Sequence, residues 1–207
     1  RAIARALEGV EADVVGLQEV SSEAPDHFAM LERLGYSTAR SPAVGERTAA
    51  VANVVASRWP IVATEWRYLD VGDAVPHRTV VWARIEAPFG LLDVFCTHLS
   101  HGFDQSALRQ RQAAEVAQFV AERRQEPQKG FPPVLLGDLN GVPSSEEIRS
   151  LTGHAAVAAP GLAFTDVWSQ VGDGPGVTFA AASPYLVDSA WPDRRLDYVL
   201  VGWPRPR

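Results

Sequence analysis

The stretch Val134-Leu135-Leu136-Gly137-Asp138-Leu139-Asn140 constrains this chain more than any other. Three branched aliphatic residues in a row read as a short buried strand, which needs a packed layer on each face. Gly137 reads as the residue that lets the backbone turn where the strand ends. On an extended chain alternate side chains share a face, so Asp138 and Asn140 point together and Leu139 points away. A carboxylate beside a carboxamide at the mouth of an apolar strand suits phosphoryl transfer. The carboxylate holds or deprotonates a water, and the amide donates to a phosphate oxygen. The same two residues equally suit an ordinary turn, so at this point both readings stand.

The same arrangement recurs along the chain. Asp13 to Val20 reads as an interior strand with Gln18 and Glu19 near its end; Leu91 to Thr97 leads to His98; Leu196 to Val201 carries Asp197 at its start. Further strands are expected at Val51–Ser57, Ile61–Leu69 and Thr79–Ile85, with Pro88-Phe89-Gly90 as a hairpin turn. Helices are expected at Arg1–Val10, at Ser21–Leu34, and at Ser106–Arg124 with Leu108, Val116, Phe119 and Val120 as its apolar stripe. Ser144 and Glu147 have capping-box spacing and predict a further short helix. The stretch Thr152–Asp193 reads as loop-rich, with Gly172, Gly174, Pro175 and Gly176 clustered. Strands with helices between them, and no internal repeat, predict one α/β domain.

Charged groups at buried strand ends need a partner or a metal. Glu19 pairing with an arginine, His98 bonded to backbone inside the core, and Asp197 pairing with Arg194 or Arg195 are the purely structural alternatives. The net charge of −6 argues against a domain that clamps long nucleic acid by a basic surface. The single Cys96 excludes an intrachain disulfide and a cysteine zinc site, and its apolar surroundings predict a buried, inert thiol. No apolar run is long enough to span a bilayer. A soluble monomer is expected, with the cytoplasm as the favoured compartment.

Taken in order, Gln18-Glu19-Val20, Thr97-His98-Leu99, Gly137-Asp138-Leu139-Asn140 and Arg195-Leu196-Asp197-Tyr198 resemble the motifs of the endonuclease/exonuclease/phosphatase superfamily, the DNase-I-like fold. Asn53-Val54-Val55-Ala56-Ser57-Arg58-Trp59-Pro60-Ile61 resembles a further family segment. The resemblance implies a four-layered α/β sandwich, two packed mixed sheets with helices outside, over a single domain 1–207. It also implies a phosphodiester or phosphomonoester hydrolase dependent on Mg²⁺ or Mn²⁺. Glu19 is then the principal metal ligand, and Asp138 orients or deprotonates the attacking water. Asn140 holds a phosphate oxygen, while His98 contacts the phosphate or protonates the leaving group. Asp197 positions the site or a second metal, and Arg78 and Asn53 are weaker candidates for phosphate contact.

The family's first strand, with a metal-site asparagine, and its last, with Ser-Asp-His, have no counterpart in 1–207. The expectation is therefore an enzyme whose 207-residue piece need not itself turn over; the alternative is a phosphate-ligand binding module. Calcineurin-like metallophosphoesterases also place Gly-Asp at a strand end, but their Asp-x-His and Gly-Asn-His motifs are missing here. Substrate is expected among nucleic acids, nucleotides, inositol phosphates and phospholipid head groups. His101-Gly102-Phe103 and Gly172–Trp191 are the expected substrate-facing loops, with Trp168 and Trp191 able to stack on a ring or simply to pack.

Overall fold

The computed structural model describes residues 2–21, 25–44, 50–72, 77–125, 130–183 and 191–203. In chain order the elements are α1 (Ala2–Val10), β1 (Val14–Ser21), α2 (Pro25–Arg33), β2 (Ser37–Arg40), β3 (Val51–Ser57), β4 (Ile61–Leu69), β5 (Arg78–Ala87), β6 (Gly90–His98), α3 (Ser106–Arg123), β7 (Val134–Asp138), α4 (Glu146–Leu151), β8 (Phe164–Asp166), α5 (Val167–Val171) and β9 (Asp197–Gly202). They form a three-stranded sheet, β1-β3-β2, and a six-stranded sheet, β4-β5-β6-β7-β9-β8. The smaller sheet is antiparallel throughout; the larger is mixed, because β6 and β7 run parallel. A parallel pair needs a long crossover, and α3 supplies it.

Three buried clusters account for the layering. Ala39 and Val55 of the smaller sheet pack against Val81, Ile85, Val94 and Cys96 of the larger, which joins the sheets face to face. On the outer face of the six-stranded sheet, Phe95, Leu135 and Leu200 meet Val116, Phe119 and Val120 of α3 and Ile148 of α4. Leu7 of α1 and Leu31 of α2 cover the smaller sheet beside Tyr36 and Ala56. The result is the expected four-layered α/β sandwich. Cys96 is buried between the sheets, where loss of water pushes its thiol up to about 12, so it is inert at neutral pH.

Two glycines set the closeness of the parts that matter. A Cβ on Gly16 would come within 2.8 Å of the Leu136 Cβ, so β1 can lie directly against β7. Gly137 lies within β7 and does not form a terminal turn: a Cβ there would collide with the Thr97 carbonyl oxygen of β6. Local expectation fails elsewhere for stated reasons. Among the described residues of Thr152–Asp193, a loop-rich stretch as expected, the short β8 and α5 are elements that the pattern did not announce. The Ser144/Glu147 capping box does not form; Ser145 is the residue before α4, without a side-chain cap, and Glu147 is buried in an ion pair. The short polar strand β2 exists because it pairs with β3 along its length. No helix among the described residues is long and apolar enough to cross a membrane.

Candidate active site

Strand topology carries the expected residues to one edge of the larger sheet. The parallel pairing of β6 and β7 sets His98 opposite Asp138. The antiparallel pairing of β7 and β9 sets Asp197 on the other side of Asp138. β5 runs antiparallel to β6 with Val80 opposite Thr97, so Arg78 begins where His98 ends. Glu19 arrives from the smaller sheet, where the β1–β3 register shifts between Leu17 and Val20. Its φ is +55°, a left-handed conformation that costs a residue without special tolerance roughly 1–3 kcal/mol. Asn140 has φ +48°, which asparagine accepts readily.

A cavity of about 630 Å³ collects Glu19, Arg78, His98, His101, Asp138 and Asn140 on its wall. Asp197 is not among its lining residues; it borders a neighbouring apolar groove instead. Asn53 is buried in neither space. Its amide donates to Thr79 O at 2.8 Å and to Thr79 Oγ1 at 3.0 Å, which ties the two sheets together. In the same segment Trp59 N donates to Ser57 Oγ at 3.0 Å, so the serine closes the turn into β4.

Arg78 is the best-placed of the residues for which the sequence alone offered little. It is buried, and its guanidinium meets His98 Nδ1 and His101 Nδ1, each at 3.2 Å. Arginine only donates, so both Nδ1 atoms accept, and a neutral His98 carries its proton on Nε2. That nitrogen lies 3.6 Å from Asp138 Oδ2, and Nδ1 lies 3.9 Å from Glu19 Oε1, both too long for hydrogen bonds. Burial, then the nearby Arg78, pushes His98 down to about 3, so these approaches are not ion pairs at neutral pH.

The carboxylates show the opposite pressure. Burial first, then the charges of Asp197 and Glu19, push Asp138 up to about 7, while the Asn140 backbone N–H, 2.9 Å from Oδ1, pulls it down. Asp197, though exposed at its surface, is also raised by loss of water around its carboxyl, against a hydrogen bond from Thr178. Asn140 Nδ2 donates to Leu99 O at 3.0 Å, which fixes the amide plane. Arg194 and Arg195 do not neutralise Asp197 as an alternative reading had it. Arg195 makes a bidentate pair with Asp166 at 2.9 and 2.6 Å, and Arg194 lies over Phe103.

Among the described residues, no three His, Cys, Asp or Glu side chains are grouped closely enough to cage a metal ion. The donor chemistry nevertheless fits a hard cation such as Mg²⁺, which keeps several waters and needs only one or two carboxylates. Glu19 supplies an accessible one at the cavity wall.

Arg109 is a residue that sequence reading did not single out. It sits in the first turn of α3, pairs with Glu147 at 2.6 Å, and donates to Ser100 O at 3.2 Å and Gly102 O at 2.6 Å. It therefore holds the loop that follows His98. An arginine inside an apolar helical stripe was the available signal.

The human Nocturnin catalytic domain is 17% identical, with a TM-score of 0.73 over 96% of this chain and 72% of that one. A Bacteroides vulgatus endonuclease/exonuclease/phosphatase superposes with a TM-score of 0.75 at 19% identity, over 97% of this chain and 77% of that one. Truncated TDP2 from Caenorhabditis elegans gives 0.72 at 18% identity, over 98% and 75%. No curated protein matches the sequence. The model of the Endonuclease/Exonuclease/phosphatase family matches residues 1–204, and the chain belongs to that family.

Proposed function

We propose that this chain carries the site of a phosphoester hydrolase in which Asp138 receives the proton of an attacking water. One observation supports this above the others: His98, Asp138, Arg78, Asn140 and Glu19 come from four separate strands, and the loop after one of them, to a single cavity. The oxyanion named in the Nocturnin structure, a bound sulfate, agrees with a phosphate-sized ligand in this fold.

Arg78 holds His98 with its Nε2–H towards the cavity, where it donates to a phosphoryl oxygen. Neutral His98 acts as a fixed donor, not as a charged acid, in the ligand-free chain. The amide of Asn140, fixed through Leu99 O, offers its second N–H to another phosphoryl oxygen. Such preorganised donors favour the charge that builds on phosphorus substituents in the transition state. Asp138, held by the Asn140 N–H, accepts the proton of the water opposite the leaving group. Asp197 keeps the Asp138 carboxylate basic by its adjacent charge. Asn53 acts through sheet packing in this reading, not by touching phosphate.

Glu19, with Asp197 as the further candidate, would hold a Mg²⁺ or Mn²⁺ ion. Such an ion supplies charge neutralisation for the phosphoryl oxygens when bound. Release of p-nitrophenol from bis(p-nitrophenyl) phosphate by the full-length protein tests the reading. Mg²⁺-dependent turnover is expected. A protein that binds phosphate esters but yields no product under any divalent cation is a binding module, the alternative reading.

A further inference from the structure

The cavity has a second end. Phe103, on the loop after His98, stacks on Trp191, with ring centroids 3.9 Å apart and planes 11° apart. The Arg194 guanidinium lies 4.1 Å from the Phe103 ring centroid and 5.6 Å from that of Trp191. All three line the same cavity as His98 and Asp138. Phe103 is 51% and Trp191 45% exposed. The ring pairs Phe89–Phe131 and Trp66–Tyr68 are similarly exposed, but none of those four rings lines the cavity, so position and not exposure sets Phe103 and Trp191 apart.

The surface is held in place at both sides. Phe103 follows Gly102, whose carbonyl accepts from buried Arg109 at 2.6 Å and whose N–H donates to Gln105 Oε1 at 3.1 Å. Arg194 exchanges backbone hydrogen bonds with Phe179 at 2.8 and 2.9 Å. A platform fixed before the ligand arrives loses little entropy on binding.

We propose that Phe103, Trp191 and Arg194 form a ring-binding subsite beside the phosphoryl site, and that the substrate is a phosphoester carrying a nucleobase; this rests on the phosphoesterase reading above. Aromatic faces stack on any base, and the guanidinium edge supplies donors for base heteroatoms. An inositol ring presents no flat π face to such a platform, and the Arg194 guanidinium already beside both rings repels a cationic choline-type head group. The net charge of −6 favours a ligand of one or a few nucleotide units over one held along a basic surface track.

The test compares, with Mg²⁺ present, kcat/KM of the full-length protein for thymidylyl-thymidine and for an analogue with the same sugars and phosphodiester but no bases. Stacking of one base predicts a preference of roughly five- to 150-fold for the dinucleotide, expressed mainly in KM. Phe103→Leu and Trp191→Leu remove the flat faces and should bring the ratio towards one; Trp191→Phe should keep most of it. Thermal melting confirms that each variant is folded. As a readout free of turnover, adenosine 5′-monophosphate should bind more tightly than ribose 5-phosphate by a similar factor, and Trp191→Leu should cancel the difference. Equal handling of both substrates, or a ratio unchanged in folded Trp191→Leu, overturns the subsite alone. Hydrolysis of neither substrate, nor of bis(p-nitrophenyl) phosphate, overturns the phosphoesterase reading, and the adenosine 5′-monophosphate comparison then decides the subsite by itself.

Discussion

Arg109 and Glu147 meet at 2.6 Å, and their other polar atoms go to Ser106, Ser100 and Gly102. Around the same cavity Arg78, His98, Glu19 and Asp138 approach one another at 3.2 to 3.9 Å. The first cluster is satisfied: every buried charge has a counter-charge and hydrogen bonds, as burial requires. In the second, a neutral imidazole separates two carboxylates, and Asp138 is pushed up to about 7 by burial and like charge. Strongly shifted groups gathered at a cavity wall mark a candidate functional site, which is the basis of the phosphoesterase proposal.

Breaking the satisfied cluster should have the largest effect on the fold. Arg109→Leu leaves Glu147 charged and buried, a loss of about 3–5 kcal/mol. Replacing both residues by apolar ones should recover much of it. Urea denaturation of the two variants checks this, and equal losses in both would show that the pair acts through something other than its charges.

The strained cluster should respond to cations. Mg²⁺ that binds only the folded chain stabilises it by about 2.7 kcal/mol at a hundredfold excess over its Kd. A melting temperature that rises with Mg²⁺ or Mn²⁺, and fails to rise in Glu19→Gln, is expected. Equal rises in both proteins would take Glu19 out of the metal site.

A pH series sharpens the contrast further. Asp138 binds its proton more tightly folded than unfolded, so its charge destabilises the metal-free chain increasingly from about pH 4 to about pH 7. His98, pushed down to about 3, acts in the opposite direction and adds stability from about pH 3 to 6.5. Asp138→Asn removes only the first of these. The metal-free variant should therefore match wild type below pH 4 and exceed it by a margin that grows up to pH 7. Thermal melts between pH 4 and 8 measure that margin.

The smallest expected effect is at Cys96, whose thiol is pushed up to about 12 by burial. Iodoacetamide at pH 8 should leave the native chain unlabelled, and rapid labelling would show that the sheets part locally.

How far the sequence disclosed this contrast depends on the range of the contacts. Glu19, His98 and Asp138 were legible because each ends a hydrophobic run, a signal contained within eight or nine residues. Arg78 was ambiguous because its burial depends on β6, and its two histidine partners lie 20 and 23 positions away. Glu147 looked like a helix cap because spacing cannot show Arg109, 38 positions earlier. Asn53 matched a motif, yet its amide ties β3 to Thr79 of β5. β8 and α5 were hidden because three- and five-residue elements carry too few turns of pattern to register.

Asp138 stands at the centre of the strained cluster, and its removal is the most direct test. Asp138→Asn keeps volume and planarity, so it leaves no cavity, and asparagine would serve equally in a turn. Turnover of bis(p-nitrophenyl) phosphate by the full-length variant should fall by about 10²–10⁴, with a metal-free melting temperature at pH 8 no lower than wild type. Activity within a few-fold of wild type would contradict the account and leave Asp138 a turn residue.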